Sequence, residues 1–339
     1  MAKEVRNAVI YVIIIGLGLF FLARGMILGL IIEALVVLIG IVLVAVFLTH
    51  FAIQRKAPIS MADVFGLGED SEVVDYVKDA VHRLEKCDVE EITSFDGLKL
   101  KTRVMMNELY PNKHLYVILC HGYGNHRLQD VANQALRFFE MGFHVYVPSL
   151  RGHGISEGNY LGMGVHDRLD VRDWARHIAE NDPDAKIILY GISMGGSAVI
   201  AAAGEEIPDN VKAIISDCAY TSCWEEFKHQ IRDEFGVPVF PVLYLCNLFC
   251  YMRFKFGFKE NSAIESVKNV SIPTLFIHGD EDRFVPYEMM SQLYEVCSAE
   301  KKKMVTIFRA KHAESYQVDA GAYWTEINKW INLYLLKEN

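Results

Sequence analysis

Gly191-Ile192-Ser193-Met194-Gly195 constrains this chain more than any other segment. It matches G-x-S-x-G and follows directly on the apolar run Lys186-Ile187-Ile188-Leu189-Tyr190. A small, Ala-rich stretch from Gly196 to Gly204 comes next and reads as a helix. A serine between a strand and a helix occupies a sharp, strained turn, so its neighbours must be small, and the turn lifts its hydroxyl above the sheet. The helix N-terminus behind it offers free N–H groups and a positive dipole end. Outside such a context a Gly-Ser-Gly turn is simply a tight loop.

A serine is a poor nucleophile unless a base takes its proton, and the base must be oriented by a third group. Two later segments supply both. Ile272 to Ile277 reads as a strand and runs into His278-Gly279-Asp280-Glu281-Asp282-Arg283-Phe284-Val285-Pro286. Met304 to Phe308 reads as another and runs into Arg309-Ala310-Lys311-His312-Ala313-Glu314. Functional groups in parallel α/β sheets collect beyond the carboxyl ends of the strands. Ser193, Asp282 and His312 are expected there.

These segments resemble the serine hydrolases of the α/β-hydrolase fold, in the branch of monoglyceride lipases, serine aminopeptidase-like proteins and related esterases. That branch carries its acid in H-G-x-x-D-x-x-V-P, matched here by His278, Gly279, Asp282, Val285 and Pro286. The match implies Asp282 as the acid. Asp280 falls at a variable position and reads as a turn or helix-entry carboxylate. His312 follows the last strand, as the family's base does, although Ala313 stands where the family often has Gly. His121-Gly122-Tyr123-Gly124 follows the strand Leu115 to Cys120 and looks like the oxyanion loop. The resemblance implies the backbone N–H groups of Tyr123 and Met194 as oxyanion donors; each such donor is worth about 3–4 kcal/mol. Arg151-Gly152-His153-Gly154-Ile155-Ser156-Glu157-Gly158 resembles the family's R-G-H-G-x-S-x-G loop. His121 and His153 read as loop braces rather than reacting groups. The resemblance runs from roughly Val89 to Leu336.

The implied chemistry is hydrolysis of carboxylic esters with an apolar acyl or aryl part through an acyl-serine, without cofactor or metal. Thioesterase, acyltransferase, amidase and peptidase reactions use the same three groups and stay open, as does a non-catalytic, membrane-tethered binding module that kept the fold. No H-E-x-x-H and no G-x-G-x-x-G after a first strand appear. A net charge of −9 over 339 residues argues against a nucleic-acid surface, and Lys301-Lys302-Lys303 reads as a solvated strand entry. Seven scattered cysteines without C-x-x-C indicate neither a disulfide framework nor a zinc site. Cys120 and Cys218 fall in predicted buried strands; Cys246 and Cys250 share a predicted helix.

The first fifty or so residues differ in kind. Ala8 to Ala23 is apolar throughout, and Met26 to Leu48 is apolar apart from Glu33. A bilayer-crossing helix needs about twenty such residues. We expect a membrane anchor over 1–50, folded as a hairpin turning near Arg24 and Gly25. Lys3, Arg6, Arg55 and Lys56 outside the spans place both ends and the catalytic domain in the cytoplasm by the positive-inside rule. A single span would put the domain outside. Glu33 is costly in lipid unless paired, and Arg24 is the expected partner. Residues 51–88 read as a juxtamembrane linker and a helix capped by Ser71, with Val73, Val77, Ala80 and Leu84 on one stripe.

Residues 89–339 alternate strands and helices after a hairpin around Phe95-Asp96-Gly97, which predicts a mostly parallel sheet wrapped by helices. The alternation breaks between Cys218 and Ile272. That aromatic-rich insertion, about 219–265, reads as a helical lid, with Trp224, Phe227, Phe240 and Tyr244 as candidate substrate contacts. The partners expected are a small-molecule ester or lipid and the membrane, with no nucleic acid and no metal.

Overall fold

A computed structural model describes residues 2–23, 27–55, 72–109, 114–126, 128–260 and 262–336. The expected turn at Arg24 and Gly25, the Arg24–Glu33 pair, Lys56 and the Ser71 cap lie outside them.

Two compact units emerge. The larger comprises Ile53–Glu226 and Phe258–Asn339, and the smaller Met1–Ala52 and Phe227–Gly257. Two N-terminal helices come first, α1 (Ala2–Ala23) and α2 (Ile27–Ile53). They are followed by α3 (Glu72–Glu85), β1 (Asp88–Thr93), β2 (Lys99–Met105), β3 (Leu115–Cys120), α4 (Ala132–Glu140), β4 (His144–Pro148), α5 (Asp167–Asn181), β5 (Lys186–Ile192), α6 (Met194–Ala203) and β6 (Val211–Asp217). The insertion holds α7 (Cys223–His229), α8 (Val239–Phe254) and α9 (Ala263–Ser266). Then come β7 (Thr274–Gly279), α10 (Glu288–Val296), β8 (Lys302–Ile307), α11 (Ser315–Val318) and α12 (Ala320–Ile331).

The larger unit is built on an 8-stranded sheet in the order β1-β2-β4-β3-β5-β6-β7-β8. The β1–β2 and β2–β4 pairs are antiparallel and the rest parallel. The hairpin around Gly97 is present, with that glycine at φ 87°. Every residue of β3, β4 and β7 is buried, the pattern of strands covered by helices on both faces. α3 buries Val77, Ala80, Val81 and Leu84 at the 3.6-residue period, against the core that also takes in α4 and α12. Lys302 and Lys303 do enter a strand, β8, while β7 runs two residues beyond the expected end and takes in His278 and Gly279. Because β5, β6, β7 and β8 are consecutive neighbours in the sheet, the loops leaving β5, β7 and β8 open at one edge.

The smaller unit is helical. α2 is the one helix among the described residues long and apolar enough to cross a membrane; the apolar part of α1, Ile10–Phe20, is shorter. α1 and α2 approach each other at one point, where a Cβ on Gly18 would sit 3.1 Å from a Glu33 carboxylate oxygen. The aromatic-rich insertion divides. Its middle, Phe227–Gly257, belongs to this unit, and its two ends belong to the larger one. Within the smaller unit the Cys246 thiol of α8 donates to the Ala45 carbonyl of α2 at 3.4 Å, and the Phe51 and Phe235 rings meet edge to face at 6.4 Å. Both Cys246 and Cys250 are buried on α8 and take part in no disulfide.

Candidate active site

Ser193 connects β5 to α6 with φ 55° and ψ −116°, a conformation that L-residues rarely take. Its surroundings enforce it. A methyl group on Gly195 would run into the carbonyl of Cys120, and one on Gly191 into the backbone of Gly195. Ser193 N–H donates to the Asp217 carbonyl at 2.8 Å, tying the turn to the neighbouring strand. Strain of this kind persists only where the surrounding structure over-determines it.

The three expected side chains meet. Ser193 Oγ lies 2.9 Å from His312 Nε2, and His312 Nδ1 lies 2.7 Å from Asp282 Oδ2. The other carboxylate oxygen, Oδ1, accepts the backbone N–H groups of Phe284 (3.0 Å) and Val285 (2.9 Å). Burial pushes the Asp282 carboxyl up, but hydrogen bonds and charge from His278 and His312 outweigh it and hold the group down at about 2. The carboxylate is therefore ionised and anchored at both oxygens. Nδ1 of His312 consequently carries the proton, and Nε2 faces the serine as an acceptor. The Phe284 ring lies 4.8 Å from the imidazole. Asp280, the competing carboxylate, is exposed and accepts the Arg309 N–H at 2.5 Å, so it closes a turn between two loops.

Tyr123 lies in the loop after β3, and Met194 is the first residue of α6, whose N–H has no partner within the helix. His121 and His153 brace that loop. The His121 ring donates from Nδ1 to Gly122 O (2.8 Å) and accepts Leu150 N–H at Nε2 (3.1 Å). The His153 ring donates from Nδ1 to Arg151 O (3.0 Å) and accepts Gly124 N–H at Nε2 (3.1 Å). Burial lowers His121 to about 4 and His153 well below its ordinary value, so both rings are neutral, as this bonding requires. Arg151 is fully buried and pairs with Asp170 (2.7 Å) and Asp96 (2.9 Å), pinning the second loop. Of the lid candidates, Trp224 is buried in the larger unit beneath the Lys259 ammonium, 4.1 Å from its ring centre. Phe227, Phe240 and Tyr244 belong to the smaller unit.

The fold agrees with that of known proteins. Residues 111–236 match the family model described as serine aminopeptidase, S33, and residues 199–313 match the serine hydrolase (FSH1) model. Both models describe serine hydrolases, and the fold is that of the α/β-hydrolases. Among relatives, YqkD of Bacillus subtilis is 24% identical over 217 residues, 64% of this chain and 70% of that protein. The Saccharomyces cerevisiae membrane protein YNL320W is 25% identical over 194 residues, 57% of this chain and 62% of that protein. The esterase Pf2001 of Pyrococcus furiosus superposes with a TM-score of 0.60 at 21% identity, over 75% of this chain and 94% of its own.

Three residues around the candidate site carried no clear signal in the sequence. His278 Nε2 donates to Asp282 Oδ2 at 3.0 Å as a second histidine on the acid; its motif position was visible but not its bond. Asp130 Oδ2 accepts Gly122 N–H at 2.6 Å, bracing the loop after β3. Asp217 accepts from Tyr323 at 2.9 Å and from Ser315 at 3.3 Å, bracing the stretch just after His312.

Proposed function

We propose that this hydrolase cleaves carboxylic esters through an acyl-serine intermediate, with Ser193 as nucleophile, His312 as base and Asp282 as acid. The observation that carries the reading is the unbroken contact from Ser193 Oγ through His312 to Asp282, at 2.9 and 2.7 Å. His312 Nε2 takes the serine proton as Oγ attacks the carbonyl. Asp282 keeps the proton on Nδ1 and stabilises the imidazolium that forms. The N–H groups of Tyr123 and Met194 receive the oxyanion. The leaving alcohol takes the proton from Nε2, and water repeats the cycle on the acyl-serine.

The substrate class follows from the aromatic insertion, 219–265, read as a lid over an apolar acyl or aryl group, with Trp224, Phe227, Phe240 and Tyr244 as its contacts. α1 and α2 are the proposed membrane hairpin, with the catalytic domain on the cytoplasmic side. The Glu33–Gly18 approach and cysteines that form no disulfide support that arrangement.

A fluorophosphonate probe tests the assignment directly. Wild-type chain should be labelled and Ser193→Ala should not; labelling retained in the variant refutes Ser193 as nucleophile. A panel of p-nitrophenyl esters of increasing acyl length, with and without detergent, then ranks the acyl group. A reporter fused after Phe51 tests topology, and an extracellular signal would overturn the hairpin.

A further inference from the structure

We propose that Cys218, Asp282 and His312 form a binding site for zinc, and that zinc held there switches the hydrolase off. The inference deepens the triad reading above and rests on it for the inhibition, though not for the binding.

Cys218 directly follows β6, the strand beside β5. It is fully buried, and it adopts φ 43°, in the left-handed region that a non-glycine residue enters only under local constraint. The chain turns there so that the thiol joins the acid and the base from behind. One ligand atom from each of Cys218, Asp282 and His312 lies within 4.8 Å of the other two. A sulfur, an imidazole nitrogen and a carboxylate oxygen are the donors zinc prefers, and three protein ligands leave a fourth position open to water. The His312 side chain is 22% exposed, which gives an ion a route to the group beside the imidazole. The other cluster of this kind among the described residues, His114, Asp182 and Asp184, is more open and is accounted for by the 2.8 Å His114–Asp182 ion pair.

The inhibition follows from proton positions. Zinc takes the Cys218 thiolate and releases that proton to solvent. Coordination through His312 Nδ1, the nitrogen facing Asp282, moves the ring's single proton to Nε2. That nitrogen then donates toward Ser193 Oγ and no longer accepts its proton. No electron is transferred, and one proton leaves per ion bound.

The test uses the full chain in detergent, titrated with zinc chloride during turnover of a short p-nitrophenyl ester. Activity should fall with zinc and return on adding EDTA. Cys218→Ala should need at least about tenfold more zinc for the same inhibition. Equal sensitivity in the variant overturns the site. Cobalt(II) supplies a readout that does not depend on turnover: a thiolate-to-cobalt charge-transfer band, one equivalent per chain, present in wild type and absent in Cys218→Ser. No band, or the same band in the variant, also overturns the site. A chain that shows the band but takes no fluorophosphonate label keeps the metal site and loses the triad reading instead.

Discussion

α6 and α2 are both apolar helices, and they meet opposite surroundings. All ten residues of α6 are buried, and they are small where strands press on them: a Cβ on Gly195 would meet Cys120 and one on Gly196 would meet Asp217. α2 runs for 27 residues of mostly large aliphatic side chains, and Ile27, Leu28, Leu35, Val36 and Ile39 among them are more than half exposed. An apolar helix inside a protein is shaped by the neighbours it must approach. One that faces lipid needs only length and hydrophobicity. The contrast shows that apolar content alone does not assign a helix to a core or a bilayer; residue size and run length do.

The sharpest way to break the contrast is at the cap of α6. Ser193→Ala should lower kcat/KM on a p-nitrophenyl ester by about 10⁴-fold or more while leaving the chain in the membrane pellet. Substantial residual turnover would remove the nucleophile from this helix. Inside α6, Ala198→Asp places a charge where the wild-type side chain is wholly buried, and should destabilise the larger unit by more than about 4 kcal/mol. Thermal unfolding in detergent measures it, and an unchanged midpoint would mean that α6 is not tightly enclosed.

Two buried carboxylates sharpen the picture of the larger unit through pH. Burial raises Asp217 to about 6, opposed by its bonds to Tyr323 and Ser315. The native state therefore binds a proton that the unfolded chain, at an ordinary value of 3.8, does not yet hold, and this group makes stability rise as pH falls from about 7 toward 5. Asp282 runs the other way. Its stabilisation is full above about pH 4 and is lost as pH falls through about 2. Asp217→Asn should flatten the rise between pH 7 and 5 in a melting series, and an unaltered slope would contradict the shift. The smallest effect on catalysis is expected in α2. Leu35→Arg with Ile39→Arg should cost about 5–7 kcal/mol of insertion yet leave soluble-ester turnover within about twofold. Carbonate extraction reads the first and a kinetic assay the second; full retention in the pellet would argue that lipid does not surround this helix.

Much of the site was legible because its parts are local signals. A strand, a tight serine turn and a small-residue helix are adjacent in sequence, and the loops bearing Asp282 and His312 each follow an apolar run. Helix ends were less legible. α4 starts at Ala132 without a side-chain cap, shortly after Leu128, where the chain takes φ 63°. The insertion shows the limit most clearly. Its aromatic content announced a helical layer, but the division at Phe227 and Gly257 depends on contacts with α2, remote in sequence.

The sequence by itself determined the order of elements, the identity of the three candidate catalytic groups and the presence of an apolar N-terminal helix, because each is written within a few neighbouring residues. Only the tertiary structure decided that Asp282 is shared by two histidines, that Asp130 underpins Gly122 and that the Cys218 thiol lies behind the acid and base. Those contacts join side chains on different strands and loops, and burial sets their charge states. Neither is encoded at any one place along the chain.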